Sequence, residues 1–237
     1  MRTFAVERAR RPLVVVADFG GTFGQLTARK VFELGYPVRV LAACEKLYSR
    51  LHHLVQTGGG RRRLYLILSA CHLDQDPRID ERIFDLPVPV LGICNGFQLI
   101  ARAFGGKVVD ISPREIGQFE LVRTLSMARD PLDGLPASFY VSMFHRQSLL
   151  ESPPGFSSLG ATSQSPVAAF SSTDSRLVGF QFHPEMPDTE FGSTILLSAL
   201  SAEIGLPFFS RRVTSRWLMS SVDRLREFEL RQNGFAG

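Results

Sequence analysis

The hydrophobic positions of this chain fall into two regimes. Up to about residue 105, short continuous apolar runs alternate with stretches of helical period. Leu13-Val14-Val15-Val16-Ala17-Asp18 is an unbroken run of the kind shown by a parallel strand buried on both faces. It ends at the turn Phe19-Gly20-Gly21-Thr22, and the pattern from about Gln25 to Leu34 predicts a helix stopped by Gly35. Val38 to Leu41 predicts a second strand, residues 44 to 56 a second helix closed by Gly58-Gly59-Gly60, and Leu64 to Leu68 a third strand. A fourth strand over Val88 to Ile93 leads into a helix over residues 96 to 104. This alternation predicts an α/β fold with a doubly wound, mostly parallel central sheet flanked by helices.

Residues 107 to 182 follow another pattern. Short alternating runs (Phe119 to Val122, Phe139 to Met143, Val167 to Phe170, Leu177 to Phe182) are separated by Gly, Pro and Ser, and predict antiparallel or edge strands in a small antiparallel sheet. A helix is expected at about 190 to 203. The tail from Arg211 to Gln232 has helical period, with Val213, Trp217, Leu218, Val222, Leu225 and Phe228 on one side. The organisation expected is an N-terminal extension over 1–11, one α/β domain over 12–205, and a C-terminal helical extension over 206–237. The helical tail reads first as a cover for its own domain.

Composition narrows the class. A chain of 237 residues, 44% of them hydrophobic, can bury a full core. No apolar run reaches the length of about eighteen residues that a membrane span needs, and the basic N-terminus is followed by a run too short for a signal peptide. Three cysteines (Cys44, Cys71, Cys94) are too few and too irregular for a disulfide framework, so a cytoplasmic setting is expected. The net charge is +4, and only three of the 27 basic residues are lysine. No basic stripe interleaved with aromatics accompanies that charge, so direct nucleic-acid binding is not expected. His52, His53 and His72 lack the spacing of metal ligands, and neither a metal nor another cofactor is implied.

The candidate chemistry lies in two segments. In Pro89-Val90-Leu91-Gly92-Ile93-Cys94-Asn95-Gly96-Phe97-Gln98 a strand pattern ends at a cysteine and a helical pattern begins. A sharp strand-to-helix turn exposes a nucleophile and aims the first helix N–H groups at whatever it attacks. A free thiol, with a pKa near about 8.5, is mostly protonated at neutral pH, and a helix N-terminus and a neighbouring histidine both favour its thiolate. Gln181-Phe182-His183-Pro184-Glu185 offers that histidine, with Glu185 placed to bond its far nitrogen and fix the tautomer.

Over roughly residues 12 to 205 the chain resembles the class I (triad-type) glutamine amidotransferases, most closely the glutaminase domains of GMP synthases. The resemblance is carried by Val15 to Gly20 with Gln25 to Arg29, by Pro89 to Gln98, by Arg114-Glu115-Ile116-Gly117, and by Gln181 to Glu185. It implies hydrolysis of glutamine to glutamate and ammonia through a γ-glutamyl thioester on Cys94, with His183 moving the proton and Glu185 orienting it. It also implies an oxyanion hole built from the backbone N–H groups of Cys71 and Asn95. Substrate contacts are implied at Gln98 and along Met143-Phe144-His145-Arg146, with Phe144 and His145 at its centre.

Three segments depart from the family pattern: Ser69-Ala70-Cys71-His72 in place of Ser-Gly-Gly-Pro, Phe144-His145-Arg146-Gln147 in place of Ser-His-Gly-Asp, and Gly21-Thr22-Phe23 in place of Ser-Gln-Tyr. Nothing after residue 205 is long enough for an ATP-dependent acceptor domain. The expected function is therefore a glutaminase subunit that takes glutamine as substrate and gives ammonia to a separate ATP-dependent synthase or ligase. Two other readings fit the same residues: a free-standing γ-glutamyl hydrolase, and a catalytically weakened glutaminase-like regulatory or binding protein.

Overall fold

The computed structural model describes residues 11–57, 63–70, 73, 76–124 and 130–201. The chain order is β1 (Leu13–Asp18), α1 (Phe23–Glu33), β2 (Val38–Ala42), α2 (Leu47–Thr57), β3 (Leu64–Ala70), a 3-10 turn (Glu81–Asp85), β4 (Val90–Cys94), α3 (Asn95–Ala103), β5 (Val108–Arg123), β6 (Ser138–Leu149), β7 (Phe156–Ala161), β8 (Ala169–Ser172), β9 (Leu177–Phe180) and α4 (Gly192–Ser201). The helix expected over 211 to 232, and with it the C-terminal extension, lies outside the described residues, as do residues 1–10.

All nine strands join one sheet in the order β2-β1-β3-β4-β9-β8-β7-β5-β6. The first five are mutually parallel. From β9 onward the pairing is antiparallel, so the antiparallel strands continue the same sheet rather than forming a separate one. The apolar runs of β1, β3 and β4 are buried because helices cover both faces. Val15, Ala17, Leu66, Leu68 and Val90 pack with Leu47 and Leu51 of α2 and Phe97 and Ile100 of α3. On the other face Tyr65 donates its hydroxyl to the Ala199 carbonyl of α4 (3.0 Å), and Thr27 of α1 shares a hydrogen bond with Ser69 (2.9 Å).

Several expectations are corrected. Leu177 to Phe180 is not an edge strand: β9 is central, parallel to β4 on one side and antiparallel to β8 on the other. Its short apolar run carries no record of which neighbours it finds. The second helix starts at Leu47, because residues just before it form a turn closed by the Leu47 N–H on the Cys44 carbonyl (2.8 Å). β5 and β6 run 16 and 12 residues, far beyond the short runs that announce them. Glu115 and Gln118 have little strand preference of their own, and pairing with His145 and Ser142 across the hairpin carries them. β7, a Ser- and Gly-bearing segment (FSSLGA), escaped the pattern altogether.

Candidate active site

Cys94 ends β4 and occupies the N-cap position of α3, with φ 55° and ψ −111°. A non-glycine residue there carries strain, which persists only where its surroundings hold it. Two glycines supply that hold by close approach. A Cβ on Gly96 would run into the Leu68 carbonyl of β3, and one on Gly92 into the Gly96 carbonyl. The turn can therefore press α3 directly against β3 and β4, and Cys94 is held at its apex, almost completely buried. Its S–H donates to the Phe144 carbonyl at 3.5 Å, and the Gln181 side-chain N–H donates to the sulfur at 3.8 Å.

The second segment reaches the same place through the sheet. β4 and β9 are parallel with Ile93 beside Phe180, so Cys94 and Gln181 leave the sheet side by side. Beyond them His183 and Glu185 are buried, with Nδ1 of His183 2.9 Å from Oε1 of Glu185. The turn that carries them is pinned at several points. His183 N–H donates to the Ser142 carbonyl (3.0 Å), and the Thr189 hydroxyl donates to the His183 carbonyl (2.7 Å) while accepting from Ser142 N–H (3.0 Å). One short stretch of β6, Ser142 to Phe144, thus holds both the cysteine turn and the histidine turn. The Phe23 ring lies over this region, 4.3 Å from the His183 ring and 6.0 Å from that of Phe144.

The other expected residues sort differently. Asn95 opens α3, and its side-chain N–H donates to Gln98 Oε1 (3.0 Å). Gln98 is fully buried, and its amide nitrogen donates to the Gln147 carbonyl (3.1 Å) and to Gln181 Oε1 (3.0 Å). Phe144 meets Cys94 through its backbone. His145 turns inward on the opposite face of β6, with Nε2 2.9 Å from the buried Glu115 carboxylate of β5. Burial by itself would push the Glu115 carboxyl up, but hydrogen bonds from His145, Ser165 and Thr162, with the His145 charge, outweigh it and hold the group below the usual carboxylate range. Cys71 and His72 lie outside the described residues.

Arg146 is engaged on two sides, by Asp110 and by Asp76 (2.9 Å). Gln147 accepts from Arg102 at 2.8 Å. Sequence reasoning passed over Gln181 and Phe23 as site residues and gave Glu115 no role. The signal for Gln181 was present, since it is the polar residue in an otherwise apolar late run, Leu177 to Phe182.

A doubly wound sheet with a cysteine at a strained strand-to-helix turn, and a His–Glu pair beyond the neighbouring strand, defines an α/β protein of the thiol-elbow kind. The chain belongs to the class-I glutamine amidotransferase family, whose model matches residues 15–201. It is 33% identical over 224 residues to the glutamine-hydrolysing GMP synthase of Clostridium acetobutylicum, covering 93% of this chain and 41% of that protein. It is 37% identical over 193 residues to that of Caldicellulosiruptor saccharolyticus, covering 79% and 36%. The chain thus spans about two fifths of the curated relatives it matches. A Thermoplasma acidophilum protein assigned as a GMP synthase subunit superposes with a TM-score of 0.65 at 26% identity, covering 80% of this chain and 92% of that one. No helix among the described residues is long and apolar enough to cross a membrane.

Proposed function

We propose that the protein is a glutaminase subunit of a GMP-synthase-like system in the cytoplasm, hydrolysing glutamine and passing ammonia to a separate ATP-dependent synthase. The observation that carries this reading is the convergence of the Cys94 turn and the His183–Glu185 pair on one stretch of β6. In the proposed reaction His183 takes the Cys94 proton as the sulfur attacks the side-chain amide carbon of glutamine. The oxyanion that forms is met by the Asn95 N–H at the start of α3 and by the Cys71 N–H. His183 then gives its proton to the leaving nitrogen, ammonia departs, and a γ-glutamyl thioester remains on Cys94. Water, deprotonated by His183, hydrolyses the thioester to glutamate and restores the thiol. Glu185 keeps the imidazole in the orientation both transfers require. The backbone of Phe144 and His145 grips the substrate, and no cofactor takes part.

The test is covalent trapping. A glutamine analogue bearing a diazo-ketone should leave a stable adduct on Cys94, mapped by peptide mass spectrometry and absent from Cys94→Ala. Absence of an adduct, both for the chain alone and with an ATP-dependent synthase added, would overturn the reading in favour of a glutaminase-like binding protein.

A further inference from the structure

Three side-chain amides form a directed chain around the cysteine turn, and a single backbone carbonyl sets its direction. The Gln147 carbonyl can only accept, so the end of Gln98 that lies 3.1 Å from it must be the NH₂ group. The same NH₂ faces Gln181 at 3.0 Å, so Gln181 must turn its oxygen toward Gln98. The remaining end of Gln181, its own NH₂, is then the end directed at the Cys94 sulfur, 3.8 Å away. At the far end the Gln98 oxygen accepts from the Asn95 side chain, so each amide is satisfied in this orientation and would lose partners if turned over. Gln98 and Gln181 are both fully buried, where an amide without partners is costly.

We propose that Gln181 is a catalytic residue of the Cys94 site: its side-chain N–H donates to the sulfur and favours the thiolate, and Gln98 is the positioning residue that fixes which end of Gln181 the sulfur meets. A donor aimed at the sulfur stabilises the anion more than the neutral thiol. The inference rests on the reading of Cys94 as the nucleophile and adds a second donor to the effect of the helix terminus. It also gives Gln98 a task that needs no contact with bound glutamine.

The test reads the thiolate directly. The rate of Cys94 alkylation by iodoacetamide is followed against pH by peptide mass spectrometry, with the exposed Cys44 of the same molecule as internal reference. Gln181→Met should raise the Cys94 half-point by about one pH unit, about tenfold less thiolate below it, with Cys44 unmoved. Gln98→Met should move it in the same direction by freeing Gln181 to turn its oxygen to the sulfur. Should either variant fail to fold, ¹⁵N spectra of the wild-type protein supply the answer. The Gln181 side-chain resonances should titrate with the Cys94 half-point and stop doing so in Cys94→Ser. An unmoved half-point in folded Gln181→Met, or Gln181 resonances that stay fixed while Cys94 titrates, overturns the proposal. No glutamine is involved, so a shifted half-point in a protein that refuses the diazo-ketone would reject the glutaminase reading and leave the Gln181 donation to the sulfur standing.

Discussion

His145 and Glu115 face one another directly across the β5–β6 ladder, 2.9 Å apart and both buried. The Ser165 hydroxyl donates to the same carboxylate at 2.6 Å, and Thr162 adds another bond, so a loop beyond β7 is tied to the hairpin. His145 is the chain neighbour of Phe144, whose carbonyl meets Cys94. The pair therefore anchors the stretch of β6 whose backbone meets the cysteine turn.

Breaking this pair should cost stability, and the cost should depend on pH. Glu115→Gln removes the charge and leaves buried partners behind, a loss on the order of 3 kcal/mol. The folded carboxyl sits below its unfolded value of about 4.3, so its contribution is complete above that value and disappears as pH falls through the lower folded one. Urea unfolding should show a wide gap between wild type and Glu115→Gln at pH 7, narrowing below about pH 4. A gap of constant width across that range would remove the charge from the explanation.

The His183–Glu185 contact of 2.9 Å predicts a kinetic effect. Glu185→Gln keeps the shape of the side chain but alters what it can offer to Nδ1. In hydrolase triads the same carboxylate-to-amide change costs about 10⁴ in turnover. The glutamate release proposed for the protein should fall by about 10³–10⁴ in Glu185→Gln, assayed under conditions where circular dichroism shows the variant still folded.

Gly96 cannot accept a side chain without moving α3 away from the Leu68 carbonyl. Gly96→Ala should lower stability by about 1–3 kcal/mol, the range for overpacking, although alanine is the better helix former. It should also slow diazo-ketone labelling of Cys94, because the turn and the sulfur move with the helix. A Gly96→Ala protein that labels at the wild-type rate would mean that the close approach does not govern the site.

Arg146 predicts a small effect. Its carboxylate partners Asp110 and Asp76 are well exposed, with side-chain exposures of 71% and 48%, and pairs of this kind contribute about 0–1 kcal/mol. Because both carboxylates already hold the guanidinium, it is not offered to the substrate. Arg146→Ala should change the glutamine KM by less than about fivefold and reduce the salt dependence of stability. A much larger rise in KM would assign the guanidinium to the substrate's carboxylate instead.

Much of the parallel half of the fold was legible because each of its signals is local. Leu13 to Asp18, Leu64 to Leu68 and the run ending at Cys94 announce buried strands by composition, and Gly35 marks the end of α1. The antiparallel half was less legible for a physical reason: β5 and β6 draw their length from cross-strand bonds, and β7 is a strand through its neighbours rather than its side chains.

The amino-acid sequence by itself determined the two candidate segments, since the strand-to-helix turn carries glycines on either side of its cysteine and the histidine segment carries its glutamate two residues on. It could not say that β9 would lie beside β4, which is what sets Gln181 against the Cys94 sulfur. Nor could it say that His145 would turn inward to Glu115 while its neighbour Phe144 met the cysteine. Those relationships join residues far apart along the chain through strand order and register, and both come from the packing of the whole sheet.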